Sequence, residues 1–233
     1  MNTQDFQAQL DSCISKYDLL CHPFYKAWAD GKLTKDDLRE YAQDYYHHVA
    51  SFPTYLAEFG IRLEDGELRQ AVLTNMCDEK GADDVFGEPG TPHSDLWLDF
   101  VEGMGGSRNT RLSDPGREIR DLVDWFHNVA RTGTPEEVLA AVYAYESQVP
   151  RIAAEKARGL RDMYGSDEKT RQYFEVHTTA DVYHSQVWRE QLMNCVAANP
   201  EAADRALKSA ESAAKALWHA LDGIEARRTA AAA

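Results

Sequence analysis

The chain has 233 residues, 43% of them hydrophobic and 27% charged, which is ordinary for a soluble globular protein able to bury a core without staples. Acidic side chains outnumber basic ones 39 to 25, for a net charge of −14, so the surface repels phosphate backbones and no nucleic acid is expected as partner. No stretch approaches the ~18 uninterrupted apolar residues of a spanning helix, which excludes membrane insertion by that route. The opening MNTQDFQAQL has neither the basic nor the apolar region of a signal peptide, and Cys13, Cys21, Cys77 and Cys195 form no C-x-x-C pair. The expectation is a cytoplasmic protein with free thiols.

Helical periodicity runs from end to end, with no strand-like alternation. Thr34, with Asp37 three residues on, caps a long amphipathic run to Leu63. Within it Leu38, Tyr41, Tyr45, His48 and Phe52 share a face, and Pro53 bends the run without ending it. A helix follows over Glu67–Glu79, then the Gly- and Pro-rich loop GADDVFGEPGTP. Further helices are expected over Ser94–Met104 and Asp114–Ala130. A run opened by Thr134-Pro135-Glu136-Glu137 should reach Tyr164, and another should span Lys169–Ala197. After Asn199-Pro200 a last helix ends near Gly223, and residues 227–233 are expected as a disordered tail behind one helical domain over residues 1–226. No internal repeat is apparent.

Three features point to chemistry. His177, Asp181 and His184 stand at i, i+4 and i+7, within roughly 60° of one another at about 100° per residue, so a helix through them presents two imidazoles and a carboxylate on one stripe. That donor set suits a first-row transition metal such as iron or manganese. Glu146 is embedded in an apolar run beginning at Val138, and a lone buried carboxylate needs a partner or a metal. Pro150, four residues later, removes the N–H that would bond the Glu146 carbonyl, a local unwinding that accompanies functional sites in helices. Glu79 ends its helix and His93 follows the irregular loop, whose Asp83, Asp84 and Glu88 compete as acids. Helical bundles that hold two metals draw carboxylates and histidines from facing helices in this way. The tyrosines, Tyr25, Tyr41, Tyr45, Tyr143 and Tyr145 among them, read as core packing, and Lys156 reads as a solvated lysine.

The segments HPFYKAW, LTKDDLREYAQDYYHHVASFPTYL, MCDEKG, HSDLW, YAYESQVPRIAAEKARGL and HTTADVYH, in that order, resemble the CADD-like family (Chlamydia protein associating with death domains). That family belongs to the haem-oxygenase-like dimetal oxidases and is related in fold to the PqqC and TenA proteins; the likeness runs from about Cys21 to Met193. It implies an all-α, seven-helix bundle with a dinuclear centre of two iron ions, or one iron and one manganese. It also implies an oxygenase that uses dioxygen and an external reductant to make para-aminobenzoate for folate biosynthesis. By the same resemblance Glu79 and His93 serve one metal, Glu146 bridges or serves either, and His177, Asp181 and His184 complete the set. Tyr25 matches the tyrosine whose own ring becomes the product, Tyr41 is a nearby second candidate, and Lys156 matches the amino-group donor. A protein that consumes its own side chain turns over once; the other expected substrate is a small aromatic molecule, and a homodimer is the expected assembly. The spacing from Glu79 to His93 is longer than in the family, and the insert DDVFGEPG leaves Asp83, Asp84 or Glu88 as substitutes for His93.

Two other classes compete. A cofactor-free enzyme of the PqqC and TenA kind would keep the fold without metal, but gives no reason for six converging acids and imidazoles. A protein-interaction module would use the acidic surface against a basic partner, which no residue here specifies.

Overall fold

Capping chemistry sets where the helices start. The computed structural model describes residues 3–82 and 90–231. Thr34 Oγ1 accepts the Asp37 N–H at 3.1 Å while the Asp37 carboxylate accepts the Thr34 N–H at 2.7 Å, a reciprocal cap that opens α3 (Lys35–Gly60). Thr134 and Glu137 make the same box ahead of α7 (Pro135–Glu146), with Pro135 in the first turn, where its missing N–H is harmless. The remaining helices are α1 (Thr3–Ser15), α2 (Pro23–Ala29), α4 (Glu67–Glu79), α5 (His93–Gly103), α6 (Arg117–Thr132), α8 (Val149–Asp162), α9 (Glu168–His177), α10 (Ala180–Ala198) and α11 (Ala203–Ala231). Short 3-10 turns occupy residues 19–21, 108–112 and 200–202, and the described residues contain no strand.

The fold is all-α, as the periodicity requires, but two runs expected as single helices are each broken. The run from Thr134 stops at Glu146 and restarts at Val149, because Pro150 has no N–H for the Glu146 carbonyl. Gln148 patches the gap: its Nε2 donates to the Ala144 carbonyl at 3.0 Å and its Oε1 accepts the Leu19 N–H at 3.0 Å. The run from Lys169 breaks at Thr178–Thr179, whose hydroxyls donate to the carbonyls of Glu175 and Val176 and compete with the helix ladder. The described residues form eleven α-helices, nine when each broken pair is counted once, against the seven of the expected bundle; the additional ones are the N-terminal α1 and the short α2.

Within the bundle α3 packs on α4, α5 and α6; α7 lies against α10 and α11; α9 lies against α5 and α8. The buried face of α11 is mostly alanine (Ala206, Ala210, Ala213 and Ala220), and α7 answers with Ala140, Ala141 and Ala144, small side chains that let two helices approach closely. Gly223 belongs to this packing and does not end the helix: a Cβ there would lie 2.6 Å from Glu118 carbons. The tail is also corrected. α11 is helical through Ala231, tied by Arg227 to Asp44 and Glu118 and by Arg228 to Glu225. α6 begins later than Asp114 because the Gly116 N–H is held by the Asp44 carboxylate at 2.6 Å. The four cysteines are free, and no helix among the described residues is long and apolar enough to cross a membrane.

Candidate metal centre

The six residues singled out as donors stand at helix ends. Glu79, Glu146 and His177 are the last residues of α4, α7 and α9; His93 opens α5, and Asp181 and His184 lie in the first two turns of α10. Three helices therefore present their partly negative carbonyl ends near one place, a field that favours a cation. The stripe expected on one continuous helix is in fact split by the Thr178–Thr179 break, and His177 reaches the cluster from the other side of that break.

Donor atoms of Glu79, His93 and His177 lie within 4.8 Å of one another, and so do those of Glu79, Asp181 and His184. Glu79 is the carboxylate common to both groups, the position the resemblance assigned to Glu146. Glu146 instead lines a cavity of about 10 Å3 with Glu79, His177 and Asp181, and its Oε2 accepts the Trp188 Nε1–H at 2.5 Å. Asp83, Asp84 and Glu88, the loop alternatives to His93, lie outside the described residues.

Hydrogen bonds fix the rings. The Nδ1 of His177 lies 2.6 Å from the Tyr173 carbonyl, so Nδ1 carries the proton and Nε2 keeps its lone pair. His184 has Nε2 at 3.4 Å from Asp78 Oδ2 and Nδ1 at 3.4 Å from Asp181 Oδ1. Burial pushes the Glu79 carboxyl up, but the imidazoles of His93, His177 and His184 outweigh it and hold it below the ordinary range. Burial likewise lowers His93 and His184, and the surrounding carboxylates, Glu79 for His93 and Asp181 for His184, more than reverse it. In His177 burial wins and the ring is lowered; in Glu146 burial, with Asp181 and Glu79 nearby, raises the carboxyl well above its ordinary value.

Orphaned lone pairs test whether a cation suits the cluster. Glu146 Oε1 is buried without a hydrogen-bond partner, while His93 Nδ1 faces Glu79 Oε2 at 2.9 Å and His184 Nδ1 faces Asp181 Oδ1 at 3.4 Å. Buried polar atoms are rarely left unpaired, and here an unpaired carboxylate oxygen lies among two further carboxylates and three imidazoles, all metal-donor types. The residues fit a transition-metal pair.

A second buried cluster adjoins the first. Lys156 does not face solvent as its sequence context suggested: it is 5% exposed, and its Nζ donates to the hydroxyls of Tyr25, at 2.9 Å, and Tyr41. The two hydroxyls are 3.1 Å apart. The nitrogen sits 4.3 Å above the Tyr25 ring and 4.7 Å from that of Tyr41, with no ion pair among the described residues. Ring faces favour an ammonium, but full burial without a carboxylate drives the amine pKa well below the ordinary lysine value. Burial raises the phenols of Tyr25 and Tyr41 in the same way. The chamber beside Lys156, about 30 Å3, is walled in part by Tyr145 and Tyr173, and these two tyrosines also wall the cavity of Glu79 and Glu146.

A sequence profile described as an iron-containing redox enzyme family matches residues 39–218. The chain belongs to that family. Among its relatives, the 4-aminobenzoate synthase of Nitrosomonas europaea is 38% identical over 96% of this chain and 92% of its own length. The 4-aminobenzoate synthase of Chlamydia pneumoniae is 34% identical over 92% of each chain. A TenA homolog from Pseudomonas syringae pv. tomato superposes with a TM-score of 0.78 at 16% identity, covering 96% of this chain and 95% of that one, which bears on the fold alone. The haem-oxygenase-like fold expected from the motifs is the fold of this family member.

Several residues around the donor cluster carry signals that the sequence analysis did not use. Tyr173 stands four residues before His177 and Trp188 four after His184, so both lie on the donor face of their helices, a signal that was available. Tyr145, which in sequence looks like core packing, lines both the Lys156 chamber and the cavity of Glu79 and Glu146. His48 is wholly buried with neither ring nitrogen paired, and burial lowers it to about 3. It was legible only as one residue of an apolar stripe.

Proposed function

We propose that this chain makes 4-aminobenzoate as a dinuclear-metal oxygenase whose ring comes from Tyr25 and whose nitrogen comes from Lys156. Glu79, His93, Glu146, His177, Asp181 and His184 hold two iron ions, or one iron and one manganese, with Glu79 shared between the two positions. Bound there, the ions supply redox chemistry with dioxygen, driven by an external reductant.

The observation that carries this reading is a buried amine held against two buried phenols in a chamber that shares a tyrosine wall with the donor cluster. The names of the 38% and 34% identical relatives support the product. Burial lowers the Lys156 pKa well below the ordinary lysine value, which favours the neutral amine whose lone pair bond formation requires. Its hydrogen bonds to Tyr25 and Tyr41 hold nitrogen and ring in contact before any reaction begins, which removes the entropy of bringing them together. Tyr41, joined to both, holds the Tyr25 hydroxyl in place and is the second candidate ring. Aromatic walls from Trp28, Trp97 and Phe174 exclude the water that would quench a strong oxidant. A cofactor-free reaction leaves the unpaired Glu146 oxygen, and the crowding of three carboxylates with three imidazoles, without a purpose.

Isotope labelling tests the proposal. Protein grown on ring-labelled tyrosine, loaded with iron and manganese and exposed to dioxygen and reductant beside unlabelled tyrosine, should release labelled 4-aminobenzoate, at most about one equivalent per chain. Unlabelled product, or many turnovers, would make Tyr25 a wall of the chamber and the substrate a small aromatic molecule from solution.

A further inference from the structure

We propose that the cleft between α4 and α10 is the route by which metal ions reach the donor cluster, with Asn75 and Asp78 as the ligands that hand the ion to His184. The inference rests on the metal-holding reading above and adds a path to it. The cleft has a volume of about 220 Å3 and is lined by Glu67, Asn75 and Asp78 from α4 and by Tyr183 and His184 from α10. That is room for an ion with several of its waters, whereas the cavity beside Glu79 and Glu146, about 10 Å3, is near the minimum for a single water. An ion passing from one to the other must shed its waters on the way, and groups that replace them in turn lower that barrier.

Asn75 is placed for this task. It is 4% exposed, it lines the cleft, and neither its carboxamide oxygen nor its nitrogen has a hydrogen-bond partner. A buried, unpaired carboxamide is rare and unfavourable, and nothing in the packing of α4 requires one. A carboxamide oxygen is a neutral, weak donor for a divalent cation, suited to a ligand that must let go. Asp78, half-buried, comes next: its Oδ2 lies 3.4 Å from His184 Nε2, on the side of the ring away from Asp181. His184 thus has one edge in the cleft and the other in the cluster. Glu67 and Asp78 also line the adjoining groove with Asp65, and the one cation among the described residues lining it, Arg69, is paired with Asp65 at 2.6 Å, so the mouth attracts positive ions.

A route changes rates and leaves the end state alone. The full chain, stripped of metal, is mixed anaerobically with Mn2+ or Fe2+; uptake is followed by tryptophan fluorescence, release by a chromophoric chelator, and final occupancy by elemental analysis. Asn75→Leu and Ala71→Trp, the second a plug in the cleft wall, should slow uptake and release by a common factor of about ten or more with occupancy unchanged. Thr74→Asp, an exposed change on the same helix that adds charge at the mouth, should quicken both. Circular dichroism confirms the fold of each variant, and Thr74→Asp carries the test if the other two misfold. Unchanged rates in variants that fill normally would overturn the route. So would a lower final occupancy with unchanged uptake, since Asn75 would then be part of the resting site. A parent chain that takes up no metal at all would refute the metal-holding reading itself, a separate and recognisable failure.

Discussion

Two buried clusters of titratable groups lie side by side in this bundle, and they solve the burial problem in opposite ways. Around Lys156 the polar atoms satisfy one another: amine to phenol, phenol to phenol, with aromatic faces on every side. Around Glu79 they do not: three carboxylates and three imidazoles crowd together, His93 and His184 set against Glu79 and Asp181, with Glu146 Oε1 left without a partner. A closed hydrogen-bond set is complete as it stands. An open one, made of metal-donor atoms, awaits positive charge. Tyr145 and Tyr173 are the shared boundary, so the two clusters meet across a wall of phenol side chains.

The contrast breaks first at the donors. His177→Ala or Asp181→Ala should remove at least one metal ion per chain and abolish product, as elemental analysis after growth with iron and manganese will tell. Full retention of metal would make the open cluster as self-sufficient as the closed one. Next in size is Tyr25→Phe, which keeps the ring volume and loses the phenol: product should fall to background while metal content and helix content stay at the parent level. Metal loss in that variant would mean that the two clusters are one.

A smaller effect is expected at Trp188, which holds Glu146 Oε2 from behind. Trp188→Phe should weaken metal affinity by about 10- to 100-fold, measured by chelator competition, because the groups that orient a ligand typically contribute that much. The smallest is a slope. Burial depresses the Lys156 amine, so the unfolded chain binds a proton that the folded chain lacks, and folding stability rises with pH across a window ending near the ordinary lysine value, ~10.4. Lys156→Met keeps the volume and removes the titration. Its urea midpoint should exceed the parent's most at the low-pH end of that window, with the difference shrinking as pH approaches ten. Parallel curves would mean that Lys156 stays an ammonium in the fold, held by the ring faces.

Much of this was legible before the chain was folded. The 3.6-residue period gave the helices, the Thr34 and Thr134 boxes fixed where α3 and α7 begin, and the bounds of α4 were readable as Glu67–Glu79. Residue types put forward His177, Asp181, His184, Glu146, Glu79 and His93 beside the competing loop acids Asp83, Asp84 and Glu88, and the family likeness singled out the first six together with Tyr25, Tyr41 and Lys156. The missing N–H of Pro150 signalled the first break; the second was not legible, because Thr178 and Thr179 are tolerable helix residues and the 3.6-residue period does not report that their hydroxyls take carbonyls three residues back. Nor was the tail, since α11 extends to Ala231 through ion pairs to Asp44 and Glu118, which are remote in sequence.

The sequence by itself determined that the chain is helical and which side chains could serve as metal donors, because helix period and donor type are local properties. Tertiary structure decided the rest. That Glu79 is common to both donor groups, that Glu146 leans on Trp188, that Lys156 is buried between two phenols and that Asn75 stands unpaired in a cleft leading to His184 all depend on helices far apart in the chain. Hydrogen bonds and electrostatic interactions fall off over a few ångströms, so no spacing along the sequence reports them until packing brings their partners within reach.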